Sequence, residues 1–230
     1  MAILHIATHK GLRNAKNLIF YSYFVYTIAM CFYYIVCFSF LRSFYSIDFI
    51  SYSIYIDQKV LYFFHIVSIL STITLFIGFY KFAKITNTPL LRYLISNWII
   101  IALYVSCNFV LFESIFFYYS PDMVGLSIAF FVLISLVFIA YYIYLIYKIN
   151  IQFYKITNIK NFLWVFRFFL ITFLGGIAIA LWFGIAFIIG KEVEALQYGI
   201  LQYIFIDLIF ALLVQLQFIF SVHKIKQVYI

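Results

Sequence analysis

Six long apolar runs, separated by short polar breaks, take up most of the chain. They cover about 18–41, 60–80, 93–119, 124–147, 168–190 and 200–222. Each has the roughly 20 residues that an α-helix, rising about 1.5 Å per residue, needs to cross about 30 Å of hydrocarbon. Transmembrane strands would need only about 9–11 residues and would alternate polar with apolar positions; no such alternation is visible. The pattern predicts an all-α integral membrane protein with six transmembrane helices and a single polytopic domain over residues 1–230. The first run is too long for the apolar region of a signal peptide and lacks a small-residue cleavage site, so it reads as an uncleaved span.

The breaks alternate in character. Lys10, Arg13 and Lys16 precede the first run. Lys81, Lys84, Pro89 and Arg92 follow the second, Lys148, Lys155, Lys160 and Arg167 follow the fourth, and Lys224 and Lys226 follow the sixth. These four segments hold 12 of the 15 Lys and Arg and no Asp or Glu. The other three breaks carry Arg42, Lys59 and Lys191 against Asp48, Asp57, Asp122, Glu192 and Glu194, with a tight turn expected at Ser120 to Met123. The excess of Lys and Arg marks cytoplasmic loops, so both termini are expected in the cytoplasm, and the reading is a protein of the bacterial inner membrane.

One hexapeptide recurs. Phe82, Lys84, Ile85, Thr86 and Asn87 return 71 residues later as Phe153, Lys155, Ile156, Thr157 and Asn158, five matches in six positions. A match at a fixed offset suggests an internal repeat. Both copies sit in basic breaks and lead into an odd-numbered span, so the unit would be one helical hairpin and the chain three tandem hairpins. The first unit, around Arg13 to Lys16, matches only loosely. The competing reading is that Lys-Ile-Thr-Asn is simply a good helix start, with Thr or Asn as N-cap.

Composition agrees with the pattern. The chain is 68% hydrophobic and 10% charged, with mean hydropathy +1.13, whereas soluble domains are about 45–50% apolar and about 25% charged. The net charge of +8 lies at the ends of spans, where it orients a membrane protein, and does not indicate nucleic acid. Cys31, Cys37 and Cys107 lie inside apolar runs at spacings that fit no metal or redox motif, and read as small apolar residues. His5 and His9 have i,i+4 spacing, but two ligands on a mobile terminus make a poor metal site. No metal or cofactor is expected.

Chemistry-bearing residues are few. Glu113, Asp207 and His65 each lie about 9–11 Å below the outer end of a predicted helix. Ionisable groups inside a span usually face the protein interior or a water-filled cavity, so the three could share a polar pocket open to the outside. Asp207 is the strongest single candidate, with His65 or Asn108 as its expected partner. Asn97, Tyr104 and Asn108 share one face of the third span, and Gln202, Gln215 and Gln217 mark the sixth. Amides in a bilayer commonly join helices by hydrogen bonds, and that is the expectation here. Gly176, Ala180 and Gly184 form a small-residue ridge on the fifth span where another helix could approach closely.

The sequence contains no HExxH, GxSxG, Walker A or CxxC motif, and no convergent nucleophile and base. Two readings follow: a non-enzymatic subunit or assembly protein, working through the bilayer, other membrane subunits or self-association; or a small transporter, channel or substrate-binding subunit with a polar pocket. A membrane enzyme acting on lipid comes third.

Overall fold

The computed structural model describes residues 2–45, 58–117, 121–188 and 193–230; side chains at 33–34, 36–59, 61, 105, 108–132, 179–181, 183–205 and 207–208 lie outside the description. The described residues form six helices: α1 (Lys10–Tyr45), α2 (Gln58–Thr86), α3 (Leu90–Phe117), α4 (Pro121–Thr157), α5 (Asn161–Ile188) and α6 (Val193–His223). Each packs on its neighbours in sequence, and α1 also packs on α6, which closes the bundle into a ring. Packing is most extensive within the pairs α1–α2, α3–α4 and α5–α6.

Among the described residues, three segments are long and apolar enough to cross a membrane: Tyr62–Thr86, Leu133–Thr157 and Asn161–Ala178. Their outward faces carry Ile69, Ile73, Leu136, Val137, Ile171 and Leu174, all more than half exposed. Soluble monomers do not tolerate contiguous apolar surface on this scale; hydrocarbon does. The chain is a membrane protein.

The helices overrun the apolar runs at the basic end. α4 continues to Thr157, ten residues past its predicted end, and α1 begins at Lys10. Hydropathy marks the bilayer boundary. The backbone, once wound, keeps its hydrogen bonds into the polar zone, where lysines reach water on long stems. Pro121, expected in a turn, is the first residue of α4, where its missing N–H costs nothing.

The hexapeptide ends helices; it does not start them. Asn87 and Asn158 have φ of 48° and 55°, the left-handed region that Asn tolerates better than most residues. Each therefore sits just past a helix end. In the first copy Thr88 N–H donates to Ala83 O at 3.1 Å, the long bond of a Schellman cap. In the second, Asn158 N–H donates to Tyr154 O at 2.7 Å, the simpler left-handed cap. Thr86 and Thr157 both donate to the carbonyl four residues back, Phe82 O at 2.8 Å and Phe153 O at 2.7 Å. The motif is a stop signal, and α3 and α5 start only after it.

The core sits at this same end. Phe82, Phe153, Phe162, Leu12, Leu90 and Val228 are fully buried there. Both termini and the α2–α3 and α4–α5 turns meet around it. The N-terminal segment, expected to be mobile, is ordered over residues 2–17: Ile3–His5 (β1) pairs antiparallel with Gln227–Tyr229 (β2), Leu4 opposite Val228. This small ribbon is an addition to the expected all-α architecture. It persists because Val228 and Ile6 enter the core. Ala2 and Ile230 also exchange backbone hydrogen bonds at 3.0 and 2.9 Å. His9 Nδ1 accepts from Leu12 N–H at 3.0 Å, so it caps α1.

Lys16 ties the ends together. Its Nζ donates to His223 O at 2.7 Å and Ile225 O at 2.9 Å. These carbonyls lie at and just past the end of α6, where a cation also complements the helix dipole. Burial lowers the pKa of this ammonium below the usual lysine value. Lys16→Met keeps the aliphatic stem and removes the donors. It should cost about 1–3 kcal/mol and speed hydrogen exchange across 224–230, while exchange in mid-α4 stays unchanged.

Candidate functional site

Above the core lies a half-open cavity of about 610 Å³ lined from all six helices. Its floor is aromatic. Phe153 lies at the centre, with ring centroids 5.6 Å from Phe79, 5.5 Å from Phe82, 4.8 Å from Phe162 and 5.7 Å from Phe218. These mostly tilted or edge-on contacts are the favourable arrangements for rings. The floor stands between the cavity and the basic end of the bundle.

Three amides enter just above it. Asn97 on α3, Asn150 on α4 and Gln215 on α6 all line the cavity. Asn97 is seven residues past the start of α3, Asn150 seven before the end of α4, and Gln215 eight before the end of α6. At about 1.5 Å per residue these depths are about 10–12 Å, so the three share one level. Asn97 and Asn150 are 7% and 4% exposed. Asn97 Oδ1, Asn150 Oδ1 and Gln215 Oε1 are buried and accept no hydrogen bond from the described residues. Buried side-chain oxygens are almost always partnered, and leaving one without a partner costs about 1–3 kcal/mol.

The remaining polar lining is biased the same way. Thr72 Oγ1 donates to Ser68 O and Thr172 Oγ1 to Phe169 O, both at 2.8 Å. Each threonine thus spends its proton on its own helix. Asn150 Nδ2 donates to Ile146 O at 2.9 Å, which fixes the direction of its oxygen. Tyr23, Tyr26 and Tyr142 contribute hydroxyls, and Trp98, Phe169 and Phe173 contribute apolar surface. Among the described residues that line it, none carries a charge. A second cavity of about 280 Å³ lies beside the first and shares Ile101, Tyr142 and Phe173 with it.

The residues singled out in the sequence fare differently. His65 is exposed on α2 and does not line the cavity. The side chains of Asp207, Glu113 and Asn108 lie outside the described residues, as do those of Ala180 and Gly184. Gly176 is half-buried on α5. The close helix approach that is visible belongs to Gly78 on α2, against Leu18 and Ile19 of α1. Asn97 and Gln215 were legible as amides in apolar spans, but as helix glue. Asn150 carried no signal, because it sits where an apolar run grades into a basic flank.

Among the described residues no group of three His, Cys, Asp or Glu is placed to hold a metal. Comparison with known families, curated proteins and solved structures finds no match to this chain.

Proposed function

We propose that this chain is a six-span membrane protein that binds a small molecule in the chamber at the centre of its helical ring, as a carrier or a substrate-binding subunit. One observation carries this reading: three amides from three helices, Asn97, Asn150 and Gln215, line one level of one chamber, and their buried oxygens have no partner among the described residues. Amides serving only as helix glue would spend their oxygens on a neighbouring helix. At the wall of a cavity of ligand size, about 300–1,000 Å³, such amides serve as recognition groups. The pocket anticipated from Asp207, Glu113 and His65 is no part of this proposal: His65 does not line the chamber, and the side chains of Asp207 and Glu113 lie outside the described residues.

The topology belongs to the same proposal. The shortest of the six helices has 28 residues, about 42 Å at 1.5 Å per residue, more than the hydrocarbon needs. With the basic end in the cytoplasm, both termini are cytoplasmic. The hairpin repeat draws support from the lining itself. A shift of 71 residues takes Leu75 to Ile146, Phe79 to Asn150, Leu94 to Val165, Trp98 to Phe169 and Ile101 to Thr172, and all ten face the cavity.

Cysteine labelling tests both parts. In a background with Cys31, Cys37 and Cys107 replaced by Ala, Thr88→Cys and Lys160→Cys should react only from the cytoplasmic side. Ser51→Cys and Glu192→Cys should react only from the other side, and one reversed site would reject the topology. Ile146→Cys and Val214→Cys, inside the chamber, should react with a water-soluble methanethiosulfonate while Ile73→Cys, facing lipid, does not. Chamber positions as inert as Ile73→Cys would reject the binding reading.

A further inference from the structure

Away from the chamber, the outer face of the α4–α5 pair gathers two cations and two aromatic rings. Ring contacts set the register of these helices: Tyr142 meets Phe169 at 5.7 Å, Tyr147 meets Phe166 at 5.2 Å and Phe153 meets Phe162 at 4.8 Å. Lys148 and Arg167 each follow one member of the middle pair. One residue turns a helix by about 100°, and α4 and α5 run in opposite directions, so both steps turn to the same side of the pair. That side faces outward: Tyr144, Trp164 and Arg167 are exposed and Lys148 is half-buried. Lys148 Nζ lies 5.1 Å from the centroid of the Tyr144 ring, and Arg167 Cζ lies 4.8 Å from that of Trp164. Each cation reaches back along its own helix. In antiparallel helices these reaches are opposed, which keeps both charges within about one turn of a common level.

That level is the edge of the hydrocarbon. The apolar run of α4 closes at about 147 and that of α5 opens at about 168, so Lys148 and Arg167 are the first charges beyond them. No Asp or Glu occurs between Asp122 and Glu192. On the flanking helices Glu113 is 23 residues past the start of α3 and Asp207 is 16 before the end of α6, whereas Lys148 and Arg167 are nine and six residues from the basic ends of theirs. A ring face holds a cation from one side and occupies none of its N–H donors, and the guanidinium fork matches a phosphate. Farther from the basic end, Val137 and Tyr141 on α4 and Ile171 and Leu174 on α5 continue the same side at helical spacing. All four are exposed, an apolar track that acyl chains can cover.

We infer that Lys148 and Arg167 hold the phosphate of one anionic phospholipid on the outer face of α4–α5, with Tyr144 and Trp164 beside the headgroup and the acyl chains along Val137, Tyr141, Ile171 and Leu174. The two cations also select among lipids. Phosphatidylcholine offers the same phosphate but brings its own trimethylammonium, which they repel. Phosphatidylglycerol brings only hydroxyls and keeps its net negative charge. The site lies outside the helical ring and does not depend on the chamber.

Trp164 reports on the site directly. With Trp98 and Trp182 replaced by Phe and the protein reconstituted in bilayers, quenching by lipids brominated near the top of the acyl chain measures the affinity of phosphatidylglycerol relative to phosphatidylcholine at Trp164. A cation close to an anionic headgroup contributes about fivefold, so the two together should give a preference of about 25-fold. Lys148→Met and Arg167→Met should each lower it about fivefold, the double variant should show near parity, and Lys148→Arg should keep the parental value. Lys84→Met on α2 and Lys224→Met just past α6, at the same end of the bundle, should leave it unchanged. Parity in the parent would overturn the inference without reference to any variant. A preference that survives the double variant would put the lipid elsewhere and overturn it too. Equal losses with Lys84→Met and Lys224→Met would overturn it in favour of diffuse attraction to the basic end. Displacement of phosphatidylglycerol by inorganic phosphate at constant ionic strength would overturn it in favour of a site for the free ion.

Discussion

Gly78→Leu is expected to prevent assembly of the bundle, while Gly175→Ala does no harm. A Cβ added at Gly78 would lie 2.9 Å from Ile19 Cγ1, 3.0 Å from Ile19 N and 3.1 Å from Leu18 Cβ. The last two belong to α1's backbone and its nearest branch, which cannot swing aside. α1 and α2 form the most extensive helix pair in the protein, so relief must come from moving a whole helix. For Gly78→Ala two effects compete. Replacing a mid-helix glycine gains about 0.5–1 kcal/mol of backbone entropy, whereas overpacking costs about 1–3 kcal/mol. The steric effect wins by a small margin. Leucine adds three more carbons with nowhere to go and forces α1 away, along with the core residues Leu12, Ala15 and Ile19. At Gly175 an added Cβ meets nothing within 4 Å, so only the backbone gain remains. Size-exclusion profiles and thermal unfolding in detergent should show Gly78→Leu aggregated or lost, Gly78→Ala slightly less stable, and Gly175→Ala equal to the parent or better. A monodisperse Gly78→Leu with parental stability would mean that α1 and α2 do not meet at this point.

Phe153→Ala should cost about 3–5 kcal/mol, the usual range for removing a fully buried aromatic side chain. Phe153 is 0% exposed and its ring touches Phe79, Phe82, Phe162 and Phe218, which come from α2, α5 and α6. Its removal would leave a void among four helices at the floor of the chamber. Phe82, its counterpart in the other copy of the motif, is equally buried but lies to one side of the cluster. Phe82→Ala should therefore cost less, and the double variant should cost less than the sum, because the two rings meet at 5.5 Å and residues in contact do not add. The floor also gives a functional readout. With Phe153→Ala, Ile146→Cys in the chamber should become reactive from the side of the bundle's basic end. Unchanged sidedness would show that the floor is not what closes that end.

Much of this protein follows from local sequence. The apolar runs specify six helices because hydropathy summed over twenty residues is a strong signal that needs no partner to be read. The Lys and Arg pattern groups the same four segments that the structure gathers at one end, since every second turn of an up-and-down bundle returns there. The recurrence of Phe82–Asn87 at Phe153–Asn158 was plain as well, but its role was not. A helix start and a helix stop use the same small polar residues, and only the positive φ of Asn87 and Asn158 tells them apart. Tertiary structure alone decided the rest. Whether Asn97, Asn150 and Gln215 join helices or line a chamber depends on how each helix is rotated about its axis, and in a bilayer both lipid and core are apolar, so hydropathy does not encode that rotation. The pairing of Ile3–His5 with Gln227–Tyr229 joins segments more than 200 residues apart, which no local pattern can register. The central void is further still from the sequence: it is space left where six packed surfaces fail to meet, a property of their fit that belongs to no one segment.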